Sequence, residues 1–393
     1  MAFSFEQHRP TQAVIHLDHL RHNLQLLESL TAEGQFFCPM VKANAYGHGD
    51  VEIALALEQA GVTAMGVGLI EEGVLLRSMG LKSQLLFFGT MDAKGARACI
   101  DAKLTPVLSS WDQVRALRAL IPNGQTFGVH LKFDTGMHRL GFEPDQVEKL
   151  VEYFHENPEL DLQGVMTHLH SGEDALDPQG ESFKQLRAFE SLAGEFDAWA
   201  PWRHTLNSAG LLNLARLRRS GRDEMAGVSL KQGVRPGLAL YGLSPVEGLS
   251  ELGEFKPVMS LRSKVIRVRR IKQGEGVAYG HRWKAPRDSV IGVVPVGYAD
   301  GYHRALSGRA QVLCDGRRLP VVGNVTMDYF MIDMTDLVGD GTPEAFQWKE
   351  VTLFGYDSKG NLLSAIELAE WSQTISWEIL TSVGERVPRV IDG

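Results

Sequence analysis

The sequence predicts an α/β fold in two parts: a (β/α)8 TIM barrel over residues 1–245 and a mostly β C-terminal domain over residues 246–393. From about residue 12 to about residue 243, short apolar runs alternate with helical patterns, which is typical of a parallel sheet. Further along, the apolar runs are strand-like and are separated by Gly, Pro and Asp. An open doubly wound sheet is the alternative to the barrel. It is disfavoured because no Gly-x-Gly-x-x-Gly pattern follows the first strand.

The barrel elements are predicted from hydrophobic spacing. Ala13 to Leu17 gives the first strand, and Asp18 caps a helix whose leucines recur at helical intervals. The next strand covers residues 36–41, and the helix after it ends at Gly61. The remaining strands are predicted at residues 64–67, 85–88, 104–108, 129–133, 162–167, 205–207 and 237–241. That many repeats in about 230 residues suit a closed barrel. The first 11 residues or so could pack on the second domain instead.

A turn-rich junction at residues 242–248 separates the two parts. Beyond it, strands are predicted at residues 258–271, 290–296, 309–314, 318–322 and 351–354, with one helix near residues 363–371. The second part is therefore expected to be mostly β.

Composition argues against several classes of protein. A chain of 393 residues is too long for one compact core, which favours two domains. The net charge of −8 and the lack of a basic stripe argue against nucleic-acid binding. Cys38, Cys99 and Cys314 are too few and too far apart for a disulfide framework, so a reducing, cytoplasmic compartment is expected. The first ten residues resemble no signal peptide, and no apolar run is long enough to cross a membrane.

Lys42 is the most informative single residue. It lies in the run VKANAYGHG at residues 41–49, directly after a strand-like stretch. Burial at a strand end disfavours the charged amine and lowers its pKa. Such a lysine can serve as a nucleophile, a Schiff-base partner or a general base. From this residue alone, a lysine that simply reaches solvent from the strand end is an open alternative.

Polar residues recur where the predicted strands end. In chain order these are Lys42 and Tyr46, Lys132 to Arg139, His168, Asn207 and Ser208, and Arg235 to Gly237. Each has an ordinary structural explanation when taken alone, such as a core histidine, a surface ion pair or a helix cap. A barrel enzyme places its active site at the carboxyl ends of its strands, and a core would exclude polar groups there. The set as a whole therefore favours a site.

The residue types in this set predict a cofactor. Lys42 provides an amine, while Ser208 at a helix start and Gly237 before an apolar run are suited to hold phosphate through backbone N–H groups. This combination points to pyridoxal 5′-phosphate held as a Schiff base. No metal is expected, because the sequence has neither a carboxylate cluster nor the spacing of Cys or His ligands.

The run around Lys42 resembles the cofactor-lysine signature of the bacterial alanine racemase family. The resemblance continues in order through KFDTGMHRLG at 132–141, TH at 167–168, NSA at 207–209, VRPGLALYG at 234–242, VAYG at 277–280, PVGYADG at 295–301, GNVTMD at 323–328, TISWEI at 374–379 and GERVPR at 384–389. An ordered series of this length is far more specific than any one of its motifs. It implies an isomerase that interconverts L- and D-alanine and supplies D-alanine for peptidoglycan.

The resemblance implies a two-base mechanism. Lys42 would hold the cofactor and act on one face of the substrate α-carbon, and Tyr279 matches the second base on the opposite face. In the family this tyrosine reaches the site of the other subunit, so a homodimer with shared active sites is expected. His168 is expected to hydrogen-bond Tyr279 and to link it to Arg235. Arg235 is expected to meet the pyridine nitrogen, which stays unprotonated because arginine only donates.

The other site residues are also carried over from the family pattern. Arg139 and the backbone N–H of Met327 match the pair that binds the substrate carboxylate, and Thr326 lies beside that site. Lys132 matches a lysine that is carbamylated in many members and positions Arg139, with an ordinary ion pair as the alternative. Tyr298 matches a residue on the path by which the substrate enters. The residues expected to bind the cofactor are Lys42, Tyr46, Arg139, His168, Asn207, Ser208, Arg235, Gly237, Leu238 and Trp377.

Several residues depart from the commonest family pattern. Trp377 replaces a tyrosine that touches the phosphate, Thr326 stands where cysteine or serine is frequent, and Asn324 replaces a frequent arginine. The segment 168–174 also differs. These departures favour serine or another small amino acid as an additional substrate, so a broader-specificity or serine racemase is the first alternative.

Three other classes of protein are weighed against the racemase. A decarboxylase on a similar scaffold would need an acidic partner for the pyridine nitrogen, where this sequence has Arg235. A non-catalytic protein that carries the cofactor would resemble the barrel alone. A cofactor-free binding protein would be colourless when purified.

Overall fold

The computed structural model describes residues 8–392 except 175, 200, 226, 247 and 249. The chain divides into two compact units. Of these described residues, the barrel unit contains those in 20–45 and 50–256, and the β unit contains those in 8–19, 46–49 and 257–392. The predicted domain limit at residue 245 stays a prediction. The expectation that about the first 11 residues pack on the second domain falls partly on residues 1–7, which lie outside the described part. Of the others, Arg9 donates to Asp300 and Thr11 hydrogen-bonds Ser263, both within the β unit.

Eight extended segments of the barrel unit pair side by side and close on themselves. Seven form a parallel sheet in the order Gly233–Val234, Trp202–Leu206, Leu160–Met166, Phe127–Lys132, Thr105–Leu108, Gln84–Phe87 and Ala64–Val67. Residues 36–41 join its two edges. The Cys38 N–H donates to the Val234 carbonyl at 2.9 Å, and the Val41 N–H donates to the Gly66 carbonyl at 2.9 Å. The predicted α/β barrel is therefore confirmed.

Helices alternate with these strands in the described part of the barrel unit. Their bounds are Leu17–Leu30, Asp50–Gln59, Ile70–Ser78, Ala93–Asp101, Trp111–Arg118, Val147–Glu156, Glu181–Gly194 and Ser208–Arg219. Large apolar side chains from strands and helices, among them Phe133, Phe154 and Phe189, are fully or almost fully buried in one cluster. Because burial of such side chains is the main favourable term in folding, this cluster stabilises the half of the barrel that carries Lys132.

The first predicted strand is wrong in its placement. Residues Gln12–His16 form a strand of the β unit, where they pair antiparallel with Met259–Lys264 and parallel with Arg389–Asp392. The apolar pattern predicts a strand but carries no information about its partners, which here lie more than 200 residues away in the chain. The helix Leu17–Leu30 also begins before Asp18, which lies in its first turn instead of capping it.

The last predicted barrel strand is wrong as well. Residues Leu238–Tyr241 form a 3₁₀ turn, and the barrel strand is the short segment Gly233–Val234 before it. Leu238 to Tyr241 are all buried, and the Tyr241 hydroxyl donates to the Met40 carbonyl at 2.8 Å. A short apolar run that is buried on every side has the same sequence pattern in a strand and in a helical turn.

The β unit is built on one sheet of ten strands. Nine follow in the order Arg267–Ile271, Ser289–Val294, Phe330–Asp333, Arg317–Val322, Gln311–Cys314, Glu350–Tyr356, Met259–Lys264, Gln12–His16 and Arg389–Asp392, and Leu362–Leu363 pairs with Glu350–Tyr356. A separate hairpin joins Gly276–Val277 to Trp283–Lys284. The predicted mostly β architecture is confirmed.

Two details of the β unit differ from the prediction. The predicted strand 258–271 is two strands, because the chain changes partners between Lys264 and Arg267, from Glu350–Tyr356 to Ser289–Val294. Besides the expected helix, found at Ala365–Ser372, the unit contains the short helices Thr335–Val338 and Ser376–Thr381. Helices this short carry too few residues for a periodic pattern to be visible in the sequence.

Candidate active site

Lys42 follows directly on the segment 36–41 and lies at the carboxyl end of a barrel strand. Its side chain is exposed, but enough protein surrounds the amine for burial to lower its pKa. The charge of Arg139 lowers the pKa further, the carboxylate of Glu72 opposes this, and Arg235 adds a smaller lowering. More of the amine is therefore neutral near neutral pH than in a free lysine, which suits a nucleophile or a base.

The chain leaves Lys42 in a left-handed turn. Ala43, Asn44, Ala45 and Tyr46 have φ values of 54°, 53°, 50° and 55°, a region that residues with a Cβ rarely adopt. Backbone held in such a conformation is typical of functional sites, where the surrounding structure must compensate the strain. The Tyr46 phenol is buried, and burial raises its pKa to about 12, so the hydroxyl stays protonated and able to donate.

Arg235 follows the last barrel strand, and its guanidinium is buried. Its Nη1 donates to the His204 carbonyl at 2.7 Å and to His204 Nδ1 at 3.0 Å. Its Nη2 donates to the Thr167 carbonyl at 2.9 Å and to His168 Nδ1 at 3.3 Å. Burial lowers the Arg235 pKa to about 10, which still leaves a cation at neutral pH. No acceptor among the described residues faces Nε, so that N–H is the donor left for a ligand.

Three neutral histidines are hydrogen-bonded to Arg235 directly or through one another: His168 and His204 contact its guanidinium, and His130 contacts His204. Burial, and after it the charge of Arg235, lowers the pKa of His168 and His204 well below the usual value and that of His130 to about 3. Because His204 Nδ1 accepts from Arg235, its Nε2 carries the proton and donates to His130 Nδ1 at 2.8 Å. By the same argument His168 accepts through Nδ1, and its Nε2–H is left to donate.

The loop after Phe127–Lys132 carries Arg139 and is organised by Asp134. The Asp134 carboxylate accepts the backbone N–H groups of residues 136–139 at 2.9–3.1 Å. Burial alone would raise the Asp134 pKa, but these four hydrogen bonds outweigh it and lower the pKa. Gly141 has a φ of 144°, and a Cβ there would lie 2.4 Å from the Asp134 nitrogen, so the loop requires glycine at this point. The result is a fixed loop that presents an exposed Arg139.

Lys132 is the last residue of its strand and is buried. Burial lowers its pKa to about 8, the charges of Arg139 and Arg235 contribute, and Asp134 only partly opposes them. No acceptor among the described residues lies within hydrogen-bond distance of its Nζ. Its amine is therefore neutral in mildly alkaline solution, and the neutral amine is the form that reacts with carbon dioxide.

A helix begins where the strand Trp202–Leu206 ends. Asn207 is its N-cap, and the Asn207 Oδ1 accepts the Gly210 N–H at 2.9 Å. The cap satisfies one of the N–H groups at the helix start and leaves others. The start of a helix carries a partial positive charge, so this end of Ser208–Arg219 attracts anions.

Ser208 joins this helix start to the turn after the last strand. Its hydroxyl oxygen accepts the Gly237 N–H at 3.0 Å and the Ala239 N–H at 3.3 Å. At this helix start and the adjoining turn, the backbone N–H groups of Ser208, Ala209 and Leu238 have no acceptor among the described residues. Unpaired N–H groups at a helix start are the usual arrangement for binding phosphate.

Tyr279 lies in the β unit, in the loop of the hairpin Gly276–Val277 and Trp283–Lys284. Its side chain is 77% exposed. The loop is fixed by Asn324, whose amide donates to the Tyr279 carbonyl at 2.7 Å. A cavity of about 640 Å³ beside it is lined by Tyr279, Thr326, Tyr329, Met331 and neighbouring residues. The phenol of Tyr279 is therefore exposed on a loop that this hydrogen bond holds in place.

Thr326, Met327 and Tyr298 lie together in the β unit. The Tyr298 N–H donates to the Thr326 carbonyl at 3.0 Å, and a Cβ on Gly297 would lie 2.2 Å from the carbonyl oxygens of both Thr326 and Met327. The Thr326 hydroxyl donates to the Tyr329 carbonyl at 2.8 Å and is thereby held within its own turn. The Met327 N–H has no acceptor among the described residues and stays available for a ligand.

The predicted site residues therefore fall into two groups. The barrel unit brings together Lys42, Lys132, Arg139, His168, Asn207, Ser208, Arg235, Gly237 and Leu238. The β unit contains Tyr46, Tyr279, Tyr298, Thr326, Met327 and Trp377. Trp377 lies in the helix Ser376–Thr381, and among the described residues its indole N–H has no acceptor. The roles of all these residues stay predictions.

Sequence reasoning missed Glu72, Asp134, His130 and His204. The two histidines lie within apolar strands, where a polar side chain needs a buried partner, and that pattern could have identified them. Asp134 lies inside a motif that the sequence already singles out. Glu72 is the third residue after the N-cap of the helix Ile70–Ser78, a position typical of helix capping. The sequence therefore explains Glu72 as a cap and gives no sign of its hydrogen bond with the Ala43 N–H.

Comparison with known families covers nearly the whole chain. The family model for the alanine racemase N-terminal domain matches residues 15–245, and the one for the alanine racemase C-terminal domain matches residues 258–391. The chain belongs to the alanine racemase family. The family predicted from the ordered motifs is confirmed, and with it the predicted enzyme class, an isomerase of the alanine racemase type.

Individual alanine racemases are similar over their full length. The chain is 39% identical to that of Sorangium cellulosum, over 97% of this chain and 98% of that protein. It is 37% identical to that of Geobacter sulfurreducens, over 97% of each. Among solved alanine racemase structures, that of Clostridium difficile has a TM-score of 0.85 at 29% identity and 98% coverage of this chain and 97% of that chain. That of Bacillus anthracis, with bound L-Ala-P, has a TM-score of 0.84 at 29% identity over 99% of this chain and 96% of that chain.

In the described part of the chain, no helix is long and apolar enough to cross a membrane.

Proposed function

We propose that this member of the alanine racemase family interconverts L-alanine and D-alanine with pyridoxal 5′-phosphate as cofactor. D-alanine made in this way would enter peptidoglycan. The observation that carries the proposal is Lys42, an amine of lowered pKa at the carboxyl end of the barrel, in the field of Arg139 and Arg235. The similar proteins named above are all called alanine racemases, which supports the same substrate.

The barrel unit suits this cofactor at three points. The Lys42 amine matches its aldehyde, the unpaired N–H groups at Ser208 and Leu238 match its phosphate, and the remaining Arg235 N–H matches its ring nitrogen. The other residues that we propose to bind it are Tyr46, Arg139, His168, Asn207, Gly237 and Trp377. Pyridoxal phosphate, when bound, supplies an aldehyde that condenses with amines and a ring that withdraws electrons from the substrate α-carbon.

Lys42 and Tyr279 act as the two bases. Inversion at a carbon centre requires that a proton leave one face and return to the other, so two groups on opposite faces are needed. Lys42 takes or gives the proton on one face, for which its lowered pKa is suited. The partner subunit's Tyr279 serves the other face, and its exposure on a fixed loop supports an action outside its own chain. The active form is accordingly a homodimer.

His168 and Arg235 tune this pair. The free Nε2–H of His168 can donate to the tyrosine oxygen and stabilise the phenolate that a base requires. Arg235 has donors only, so it keeps the ring nitrogen unprotonated and limits how much negative charge the ring withdraws. A weaker electron sink suppresses side reactions such as transamination.

Arg139 and the Met327 N–H bind the substrate carboxylate. Arginine pairs with a carboxylate through two parallel hydrogen bonds, which fixes orientation as well as charge. Lys132 is carbamylated in this proposal, and the resulting anion pairs with Arg139. Its buried amine, with a pKa of about 8 and no acceptor of its own among the described residues, supports that modification. Tyr298 and Thr326 border the path of the substrate.

We place the enzyme in the cytoplasm. Cys38, Cys99 and Cys314 are free and buried, which suits a reducing compartment.

The decisive experiment is to incubate the purified protein with L-alanine and, in parallel, L-serine in deuterated water. Exchange of the α-proton and formation of the D-enantiomer are followed together. Rapid formation of deuterated D-alanine, with serine slow, is the expected result. Serine turned over as fast as alanine would replace the proposal by a broader racemase and direct attention to Trp377 and Thr326.

Exchange without inversion would mean that Lys42 works and that the Tyr279 side does not. No exchange with either amino acid, in protein that carries pyridoxal phosphate, would contradict the proposed function.

A further inference from the structure

Glu72 is a carboxylate beside Lys42 for which the proposed mechanism has no use. Its Oε1 accepts the Ala43 N–H at 2.6 Å, and its Oε2 accepts the N–H groups of Gly68 at 2.8 Å and Leu69 at 3.0 Å. The bond from Leu69 caps the helix Ile70–Ser78, which is an ordinary structural task. The bond from Ala43 has no part in that helix and holds the residue that follows Lys42.

The Lys42 side chain runs along the other backbone segment that Glu72 holds. A Cβ on Gly68 would lie 3.5 Å from Lys42 Cβ and 3.6 Å from Lys42 Cδ, an ordinary contact distance. Gly68 follows the strand Ala64–Val67, which is the neighbour of the segment that ends at Lys42. The carboxylate of Glu72 therefore fastens together the ends of two adjacent strands at the point where the lysine leaves the barrel.

The contact with Ala43 falls at the first residue of the left-handed turn. Ala43 has a φ of 54°, a left-handed conformation that is strained for a residue with a Cβ because the Cβ lies too close to the following carbonyl oxygen. A hydrogen bond to a charged acceptor stabilises this conformation. If the backbone at Ala43 relaxed, the direction of the adjoining Lys42 side chain would change with it.

The charge of Glu72 also bears on the amine. Among the charges acting on Lys42, Arg139 and Arg235 lower its pKa and Glu72 raises it. The carboxylate of Glu72 therefore partly offsets the effect of the two arginines on the pKa of Lys42. This matters because a base must be basic enough to accept a proton.

We propose that Glu72 is a positioning residue for Lys42: its carboxylate clamps the residue that follows the lysine to the end of the neighbouring strand, and so fixes the direction of the amine and places a negative charge beside it. The inference rests on the proposed function for its catalytic meaning. Its first test does not depend on that function.

The test is competitive acetylation of the full chain, freed of pyridoxal phosphate, with acetic anhydride over a range of pH. Mass spectrometry of the Lys42 peptide gives the pH at which the amine becomes reactive. Glu72→Gln should shift this midpoint to lower pH by roughly one unit, because the neutral amide no longer favours the ammonium form. The matched control, Glu71→Gln on the exposed neighbouring residue, should leave the midpoint in place.

A second variant separates the clamp from the charge. Glycine adopts positive φ without strain, so Ala43→Gly added to Glu72→Gln should restore the turn. Glu72→Gln should lower kcat by roughly tenfold or more through misdirection of the amine. The double variant should recover much of kcat while its acetylation midpoint stays low, and Ala43→Gly alone should resemble the parent protein.

An unchanged Lys42 midpoint in Glu72→Gln, accompanied by loss of stability, would reduce Glu72 to the cap of the helix Ile70–Ser78 and overturn the proposal. If kcat does not recover in the double variant, the hydrogen bond between Glu72 and the Ala43 N–H does not position Lys42. If the parent protein acetylates as expected but exchanges no α-proton of alanine, the proposed function fails and the positioning of Lys42 stands.

Discussion

Four cationic side chains of the barrel unit lie close enough together to act on the same histidine. Lys42, Lys132, Arg139 and Arg235 each appear among the charges that lower the pKa of His168. Asp134 cannot neutralise them fully, because its carboxylate is occupied by four backbone N–H groups. Crowded, partly buried cations destabilise a fold unless anions bind to them. This excess of positive charge fits ligands that carry a phosphate and a carboxylate.

The lowered pKa of Lys132 has a consequence for stability that can be measured. Its ordinary value is 10.5, and its value in the folded chain is about 8. Between these two values the unfolded chain binds more protons than the folded one, so the free energy of unfolding should rise with pH across this window. Below about pH 8 both states are protonated and this contribution is constant. Urea unfolding in buffer free of carbon dioxide, compared with Lys132→Met, measures it.

The variant Lys132→Met should show a smaller rise in stability between pH 8 and pH 10.5 than the parent protein. Parallel curves for the two proteins would show that Lys132 is not buried as a neutral amine. Carbamylation itself is read separately, as a bicarbonate-dependent ¹³C signal that the variant lacks.

At the scale of elements, the start of the helix Ser208–Arg219 has two separable properties. Its stability depends on the cap formed by Asn207, and its attraction for anions depends on the remaining N–H groups and the helix dipole. Asparagine and aspartate cap helices about equally well, but only aspartate adds a negative charge. Substitutions at this position can therefore distinguish a helix cap from a phosphate site.

Asn207→Ala should lower the free energy of unfolding by about 1 kcal/mol, because the Gly210 N–H loses its acceptor. Asn207→Asp should keep most of that stability but weaken the binding of pyridoxal phosphate by roughly tenfold, since two anions would face each other. Urea unfolding and fluorescence titration with the cofactor give the two quantities. Equal affinity in Asn207→Asp and the parent protein would place the phosphate elsewhere.

At the scale of the whole molecule, the two proposed bases belong to different units of the chain. Lys42 is in the barrel unit, and Tyr279 is in the β unit with 77% of its side chain exposed. If the partner subunit's Tyr279 completes each site, the active unit is the dimer and its two sites are built from both chains.

Co-expression of two inactive variants tests this arrangement. A dimer of one Lys42→Ala chain and one Tyr279→Phe chain contains one site in which both bases are intact. Random pairing makes half of the dimers mixed, with one working site of two in each, so activity should return to about a quarter of the parent level. Each variant expressed alone is the control. No recovery in mixed dimers isolated by two different tags would mean that Tyr279 acts within its own chain.

The sequence by itself determined the α/β barrel and the mostly β domain, and it predicted the residue types of the candidate site. Local patterns carry this information: apolar periodicity predicts strands and helices, and polar groups at strand ends mark a barrel site. Motif order along the chain was enough to identify the family, because it requires no knowledge of contacts.

Only the tertiary structure decided which sheet the strand Gln12–His16 joins and that Leu238–Tyr241 is a turn. It also decided which N–H of Arg235 is left to donate, and that Glu72 opposes the cations around Lys42. The physical reason is the same in each case. Pairing, hydrogen-bond saturation and pKa depend on residues that lie far apart in the chain and meet only in the folded molecule.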